Sequence, residues 1–324
     1  MNHVRRLARA LVCVLAAWCI AHTAAAAQAW PNKPVRIVVA FGPGGTADIL
    51  ARTIAAELSS TLKQQFYVEN KPGNSGTIGS TFVARAEPDG YTLLIGGAGP
   101  HLVAPAVNPN VGYDTMRDFD HVALIAGDSF MLAANPSAGL KSFADLVRAG
   151  RDTSFTCASP GVGSQGHLVQ ELINQKVGIK LEPVPYRGAA EAMTDLIGNH
   201  VALALQPAIS VGEHVRAGRA VGLAVTATER ISAYPEVPTL KELGYDVRGL
   251  SWFWLAAPHG LAPDIVAQLN VAVRNALKSP QVREQFARSA LLTEDLAPAD
   301  VTKFIADEAA LWGAVARQVG LKVQ

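Results

Sequence analysis

Short apolar runs alternate with amphipathic segments along the first part of the chain. Residues 35–40 form a continuous run rich in β-branched residues, which is typical of a strand buried on both faces. In residues 47–62 the apolar positions recur every three or four residues and predict a helix. Further strands are predicted at 66–69 and 91–95, on either side of a small-residue helix at 77–86. This order predicts an α/β fold with a parallel sheet covered by helices on both faces.

A second series of the same kind follows, after which the chain becomes helical. Its strands are predicted at 153–159, 181–184, 201–205 and 220–226. Its helices are predicted at 142–149, from about 165, and at 189–197. Three late helices are expected to begin near Pro263, Pro280 and Pro298, since proline is favoured in a first helical turn. By analogy with two-domain α/β folds, we expect the late helices to pack against the first series.

Two of the predicted strands run directly into glycine-rich turns that precede helices. The first turn is GPGGT at 42–46, and the second is SPGVGSQGH at 159–167. Such turns bring free backbone N–H groups and a helix N-terminus to one point, which favours an anion. Neither turn contains Lys or Arg, so a carboxylate held by N–H and O–H donors fits better than a triphosphate. We expect the two turns to close on one anionic ligand from separate domains.

Several side chains beside these turns have two possible roles. Asp48, in the first turn of its helix, either accepts a bond from a ligand hydroxyl or ammonium or caps its own turn. His167 either touches the ligand or is structural. Tyr186 and Arg187 follow a predicted strand, where Tyr186 would cover the ligand and Arg187 would supply positive charge. In a surface turn, Arg187 would pair with Glu191 instead.

Enzyme chemistry has less support from the same residues. The turns fit the dinucleotide pattern G-x-G-x-x-G/A from Gly42 and from Gly161, with Glu69 where a ribose-binding acid belongs. That match is weak, because any glycine turn between a strand and a helix can satisfy it. Ser164 lacks the first glycine of a G-x-S-x-G nucleophile elbow. The histidines after residue 27 show no metal-ligand spacing, so we expect no metal site. Because the other motif matches are weak, we also expect no enzyme activity and no cofactor.

The N-terminus has the features of a secretory signal peptide. Three arginines precede an apolar run at 10–21, which is shorter than a bilayer span, and alanines at 24–27 place cleavage after Ala27. Without residues 1–27 the chain has 25 Lys and Arg against 27 Asp and Glu, which argues against nucleic acid and anionic membranes as partners. Cys157 is then the one cysteine left, and we expect it to be buried.

Six segments together resemble a known family over essentially the whole chain after the signal peptide. They are WPNKPVRIVVAFGPGGTAD at 30–48, VENKPGNSGTIGS at 68–80, EPDGYTLLIG at 87–96, GVGSQGHL at 161–168, VPYRGAAEAMTDLIG at 184–198 and YPEVPTLKELG at 234–244. The family is that of the Bug-type extracytoplasmic substrate-binding proteins of tripartite tricarboxylate transporters, also called TctC. Each segment alone is modest, but their combination is specific.

The resemblance implies a two-domain periplasmic-binding-protein architecture of type II, the Venus flytrap, with a ligand cleft between the domains. The first domain would comprise residues 28–128 and 250–324, and the second 129–249. The ligand would be a small carboxylate, and the partners would be membrane subunits similar to TctA and TctB, with the protein itself a monomer in the periplasm. A ligand-sensing receptor that serves no transporter, and a secreted enzyme, are the alternatives.

By the same resemblance, the ligand would contact residues from five segments of the chain. From the first turn and the segment after the strand predicted at 91–95, these are Phe41, Pro43, Gly44, Gly45, Thr46, Ala47, Asp48, Gly97, Ala98 and His101. From the second turn and its neighbours they are Ser159, Gly161, Gly163, Ser164, Gln165, His167, Tyr186, Arg187 and Gln206. The sequence departs from the usual family pattern at 96–101, 199–202 and 206–207, so we expect ligand specificity to be set there.

Overall fold

The computed structural model describes residues 30–108, 110–161, 164–186 and 188–320. Ten strands lie in these ranges: β1 Val35–Val39, β2 Phe66–Asn70, β3 Thr92–Gly97, β4 Phe119–Ala134, β5 Phe155–Pro160, β6 Leu181–Tyr186, β7 Leu203–Pro207, β8 Val221–Val225, β9 Leu250–Pro258 and β10 Leu291–Leu292. The α-helices are α1 Thr46–Leu62, α2 Thr77–Ala84, α3 Ala104–Val107, α4 Phe143–Ala149, α5 Gln165–Ile173, α6 Ala189–Ile197, α7 Ala208–Arg216, α8 Pro263–Lys278, α9 Pro280–Arg288 and α10 Pro298–Gln318.

The strands form one mixed sheet in the order β2-β1-β3-β9-β4-β7-β5-β6, with β8 and β10 also paired to β4. The predicted parallel pairing is present where β1 joins β2 and β3, and where β5 joins β6 and β7. At the centre of the sheet the pairing is different, because β9 runs antiparallel to both β3 and β4. The pattern analysis did not predict β4, β9 or α7.

Strand β4 connects the two lobes of the molecule. Its first part pairs with β9 from Phe119 opposite Pro258 to Ser129 opposite Leu250. Its last part pairs with β7, starting with Phe130 opposite Pro207. Gly127 and Asp128 also pair with β10, and Met131–Ala134 also pair with β8, so the neighbours of β4 change from β9 and β10 to β7 and β8 between Ser129 and Phe130. The two lobes share this strand as a common structural element.

The hydrophobic core forms three clusters along the sheet. One lies between β1, β3, α1 and α8 and includes Ile37 and Val273. A second joins β4 and β8 to α6 and α7 around Val211. The third extends through both lobes and contains Trp254 and Trp312, both almost fully buried. Each large apolar side chain so buried contributes about 1.5–3 kcal/mol. Both α8 and α10 pack on β4, and α8 also packs on α1 of the first series.

Two local predictions can be compared directly with the structure. Ser279 caps α9, since its hydroxyl accepts a bond from the Val282 N–H at 3.3 Å, and Pro280 is the first helical residue as predicted. Cys157 is buried as predicted, and burial raises the pKa of its thiol to about 12. Among the described residues, no helix has the length and apolar character needed to cross a membrane.

Candidate functional site

The first glycine turn joins β1 to α1 and leaves its backbone open. Gly44 has a φ of +83°, a conformation in which other residues are strained. Gly45 precedes α1 and has no side chain to cap it. A β-carbon on Gly45 would meet nothing nearer than a carbonyl oxygen 4.0 Å away. The Asp48 N–H is bonded to the Gly45 carbonyl at 3.0 Å, so the N–H groups of Thr46 and Ala47 are the ones that the helix leaves for an external acceptor.

Asp48 supports this turn from behind. Its Oδ2 accepts bonds from the Gly44 N–H at 3.0 Å and from Arg52 Nε at 2.9 Å. Its Oδ1 accepts bonds from Arg52 Nη2 and Asn70 Nδ2, each at 2.9 Å. Burial raises the pKa of Asp48, but the bonds from Arg52, Gly44 and Asn70 together hold it below its usual value. Because both oxygens are occupied, the geometry fits the turn-supporting role rather than ligand contact.

A hydrogen bond connects the first turn to β4. The Thr46 hydroxyl donates to Oδ2 of Asp128 at 3.1 Å. Asp128 is 1% exposed, and burial raises its pKa to about 7, although the bond from Thr46 and the backbone N–H groups of Ile209 and Ala208 lower it. Its Oδ1 has no hydrogen-bond partner. The first turn is thus bonded to the middle of β4 through Asp128, and Asp128 in turn lies beside the start of α7.

The second turn joins β5 to α5 and is packed more tightly. Ser164 caps α5, because its oxygen accepts a bond from the His167 N–H at 3.2 Å and its hydroxyl donates to the Pro160 carbonyl at 3.1 Å. A β-carbon on Gly166 would lie 2.5 Å from Pro160 and 3.0 Å from the ring of Phe130. The turn therefore packs on β4 at Phe130, two residues beyond Asp128.

The side chains of other candidate residues around the second turn make hydrogen bonds within the protein. Gln165 donates from Nε2 to the Leu250 carbonyl at 2.8 Å, and its Oε1 is buried without a partner. Gln206 donates from Nε2 to the Ala158 carbonyl at 3.2 Å, which ties β7 to β5. The Tyr186 hydroxyl donates to Asp195 at 2.6 Å. Hydrogen bonds therefore fix the side-chain amide of Gln165 beside β9 and that of Gln206 beside β5.

His167 and Ser159 are buried, and Gly161 is half-buried. Burial lowers the pKa of His167, while Glu171, with its carboxylate 3.9 Å from the ring, raises it. The predicted residues Gly163 and Arg187 lie outside the described part of the chain.

The residues after β3 lie deeper than the resemblance implies. Gly97 and Ala98 are buried, and His101 is 1% exposed. The His101 ring packs against Tyr113, Phe119 and Trp254, with centroid distances between 5.2 and 5.5 Å. Burial lowers its pKa to about 3, so the imidazole is neutral. The helical turn at Gly99–Val103 directs the ring into the core, where its role is packing.

The remaining residues of the first turn differ in exposure. Pro43, Gly44 and Gly45 are exposed, Phe41 is half-buried, and Ala47 is buried in the core of the first lobe. A groove of about 930 Å³ lies elsewhere on this lobe, beside Arg36, and neither turn lines it. Within the described residues, no group of His, Cys, Asp and Glu could hold a metal ion.

Pattern analysis missed Asp128, although a signal for it exists. Asp128 and Ser129 are the two polar side chains inside the otherwise apolar run VALIAGDSFMLAA at 122–134. Both are 1% exposed. A buried strand rarely carries a carboxyl group without a specific reason, since a buried polar group must be paired. That interruption of the apolar pattern marks the position where the two turns meet β4.

The fold and the two turns define a two-lobed α/β solute-binding protein, and comparison with known proteins identifies its family. Residues 50–321 match the model of the tripartite tricarboxylate transporter family receptor, TctC. Protein BugT of Bordetella pertussis strain Tohama I is 34% identical over 302 residues, covering 92% of this chain and 93% of BugT. The chain belongs to the TctC family, whose members are periplasmic binding receptors.

Solved structures agree with this assignment. Rhodopseudomonas palustris Rpa4515, solved with adipate, superimposes with a TM-score of 0.85 at 34% identity, covering 90% of this chain and 99% of that one. MatC from Rhodopseudomonas palustris, solved with bound malate, superimposes with a TM-score of 0.79 at 31% identity, covering 88% of this chain and 99% of that one. The two-lobed periplasmic binding fold is therefore shared along the described chain.

Proposed function

We propose that this protein captures a small organic carboxylate between two domains and presents it to a tripartite tricarboxylate-type transporter. Residues 28–128 and 250–324 form the first domain of this clamp, and residues 129–249 form the second. Residues 1–27 are a cleaved signal peptide that directs the protein to the periplasm. The mature protein acts as a monomer with membrane subunits similar to TctA and TctB, and it catalyses no reaction.

The observation that carries this proposal is the uncapped start of α1. Gly45 provides no side-chain cap for this seventeen-residue helix, which leaves the N–H groups of Thr46 and Ala47 for an external acceptor. Such a terminus carries partial positive charge without a side chain that must be desolvated, which suits a carboxylate. The second turn meets β4 two residues from the point where Thr46 is bonded. A ligand on the first turn is therefore within reach of the second lobe.

The relatives support the same ligand class. Rpa4515 and MatC carry adipate and malate, which are both dicarboxylates. Dicarboxylates, together with mono- and tricarboxylates, are accordingly the first compounds to test. Native mass spectrometry of the purified protein, followed by a thermal-shift screen of these acids, should find compounds that raise the melting temperature, because a ligand that binds the folded state stabilises it. A screen in which no carboxylate has any effect contradicts the proposal.

The substitution Gly45→Val tests whether the first turn holds the carboxylate. The valine side chain fits the free protein, since its β-carbon meets no atom closer than 4.0 Å, but it occupies the space in front of the first N–H groups of α1. We expect loss of binding, at least about a hundredfold in Kd, with an unchanged melting temperature of the free protein. The dissociation constant is measured by isothermal titration calorimetry, with the acid that gives the largest thermal shift as the ligand.

Ala262→Val is the matched control, because Ala262 occupies the equivalent capping position of α8. It adds the same side chain before a helix of similar length and should leave binding intact. Unchanged affinity in Gly45→Val would show that the ligand lies elsewhere.

A further inference from the structure

Asp128 is a buried carboxyl group with one oxygen paired and one unpaired. It is 1% exposed and lies in the middle of β4. Oδ2 accepts the bond from Thr46, while Oδ1 has no partner among the described residues. A buried carboxylate oxygen that no donor satisfies costs free energy, so such an atom calls for a further group that completes it.

The groups described around Asp128 come from three elements, and none of them is positively charged. The first turn supplies the Thr46 hydroxyl, and the start of α7 supplies the N–H groups of Ala208 and Ile209. The phenol of Tyr234 acts on the carboxyl electrostatically. Burial raises the pKa of Asp128 to about 7, since these neutral groups do not offset the loss of water. A cation beside Oδ1 would restore its charged form.

A second buried acceptor lies on the opposing turn. Gln165 is 3% exposed and donates from Nε2 to the Leu250 carbonyl at 2.8 Å, which leaves Oε1 as an acceptor without a partner. Leu250 is the strand partner of Ser129, the residue after Asp128. Gln165 of the second turn is thus bonded to the strand pair one register position from Asp128, and Asp128 itself is bonded to Thr46 of the first turn.

We propose, on the basis of the carboxylate-binding function above, that the ligand also carries an ammonium group, and that Asp128 receives it with Gln165 as a second acceptor. The ligand class is thus an amino acid or other zwitterionic amino-carboxylate. Its carboxylate lies on the start of α1, and its ammonium group lies towards β4. Thr46 stands between the two subsites and orients Asp128.

An ammonium group fits these acceptors better than other substituents. It supplies three N–H donors and the positive charge that a buried carboxylate needs. A hydroxyl supplies one donor and no charge. A second carboxylate of the ligand would place like charges together at Asp128, which raises the energy of both ionised groups. Selectivity for the amino group is therefore the property to measure.

Matched pairs of acids test the proposal on the unmodified protein. The probes are propionate and alanine, succinate and aspartate, glutarate and glutamate, and adipate and 2-aminoadipate, each titrated calorimetrically. In the pair whose chain length fits the cleft, we expect the amino acid to bind about tenfold to a hundredfold more tightly, as for a hydrogen bond to a charged group. Malate beside succinate measures what a hydroxyl contributes.

Substitution of Asp128 tests whether this residue causes the preference for the amino acid over the unsubstituted acid. Asp128→Asn should reduce the preference for the amino acid to less than about threefold while the unsubstituted acid keeps its affinity. Asp246→Asn removes one negative charge at an exposed position with 87% side-chain exposure and should keep the preference. Asp128→Ser, which is smaller, repeats the test if circular dichroism shows that Asp128→Asn is not folded.

The outcomes separate this inference from the proposed function. If carboxylates bind but those with an ammonium group have no advantage, the inference is wrong and the proposed function stands. Retention of the preference in Asp128→Asn or Asp128→Ser also overturns it. If no carboxylate of any kind binds, the proposed function itself fails.

Discussion

The two glycine turns share a sequence pattern, yet they are built in different ways. The first is exposed, has no side-chain cap, and is held from behind by the buried carboxylate of Asp48. The second is capped by Ser164 and packed against Pro160 and Phe130. Glycine is needed in the first turn for its conformation, and in the second for close packing of a helix on β4. The same motif therefore provides an uncapped helix start on one lobe and a tightly packed support on the other.

The largest expected effect concerns Asp128, the buried carboxyl group that accepts the hydrogen bond from Thr46 of the first turn. The folded-state pKa of Asp128, about 7, exceeds the ordinary value of 3.8, so the folded protein holds this proton more tightly than the unfolded chain. Its contribution to stability is present at low pH and declines as pH rises from about 4 to 7. Asp128→Asn should therefore gain about 3 kcal/mol relative to the wild type between pH 5 and pH 8.

Urea unfolding of both proteins at the two pH values measures this difference. Asp246→Asn is the control, because it removes one carboxylate just as Asp128→Asn does. Gln165→Glu is not suitable, because it adds a charge. A constant difference between Asp128→Asn and wild type across the pH range would contradict the buried ionisable role of Asp128.

The next effect tests the packing of the second turn. Gly166→Val places a side chain where a β-carbon already lies 2.5 Å from Pro160. Overpacking of this kind should lower the free energy of unfolding by about 2 kcal/mol, whereas Gly45→Val should change it by less than about 0.5 kcal/mol. Equal effects of the two substitutions, measured by chemical denaturation, would remove the distinction between the turns.

The smallest effect concerns helix capping. Ser164→Ala removes the bond to the His167 N–H and should cost about 1 kcal/mol. Thr302→Ala is the control, since Thr302 is an exposed residue inside α10 and caps no helix. A melting temperature for Ser164→Ala equal to that of this control would mean that the cap contributes nothing to the second turn.

The spacing of apolar residues along the chain predicted those helices and strands whose pattern is contained in a short stretch of sequence. The helix at α1 and the parallel strands β1, β2 and β3 follow from spacing that a window of residues contains. The long strands β4 and β9 do not, because fully apolar runs are compatible with a strand or a buried helix. Their antiparallel pairing joins residues more than 120 positions apart, as between Phe119 and Pro258, and no local signal specifies it.

The site shows the same division. The turns themselves were predicted from their glycines, but the partners of those turns come from distant segments. Asn70 reaches Asp48 from the next strand, and Asp128 reaches Thr46 from 82 residues away. The position of His101 also depends on tertiary packing, since the ring is held by Tyr113 and Trp254. Sequence alone identifies the turns that we propose bind the ligand, and the fold determines which side chains support them.

The change of partner along β4 has a mechanical consequence. Its neighbours change from β9 and β10 to β7 and β8 between Ser129 and Phe130, so β4 passes from one lobe to the other where its pairing changes. In the clamp proposed above, a rotation of the lobes about this point would move the two turns, which contact β4 beside it, through a short arc and the outer rims through a longer one. A small change in how the ligand is held would thereby produce a larger displacement of the outer surface.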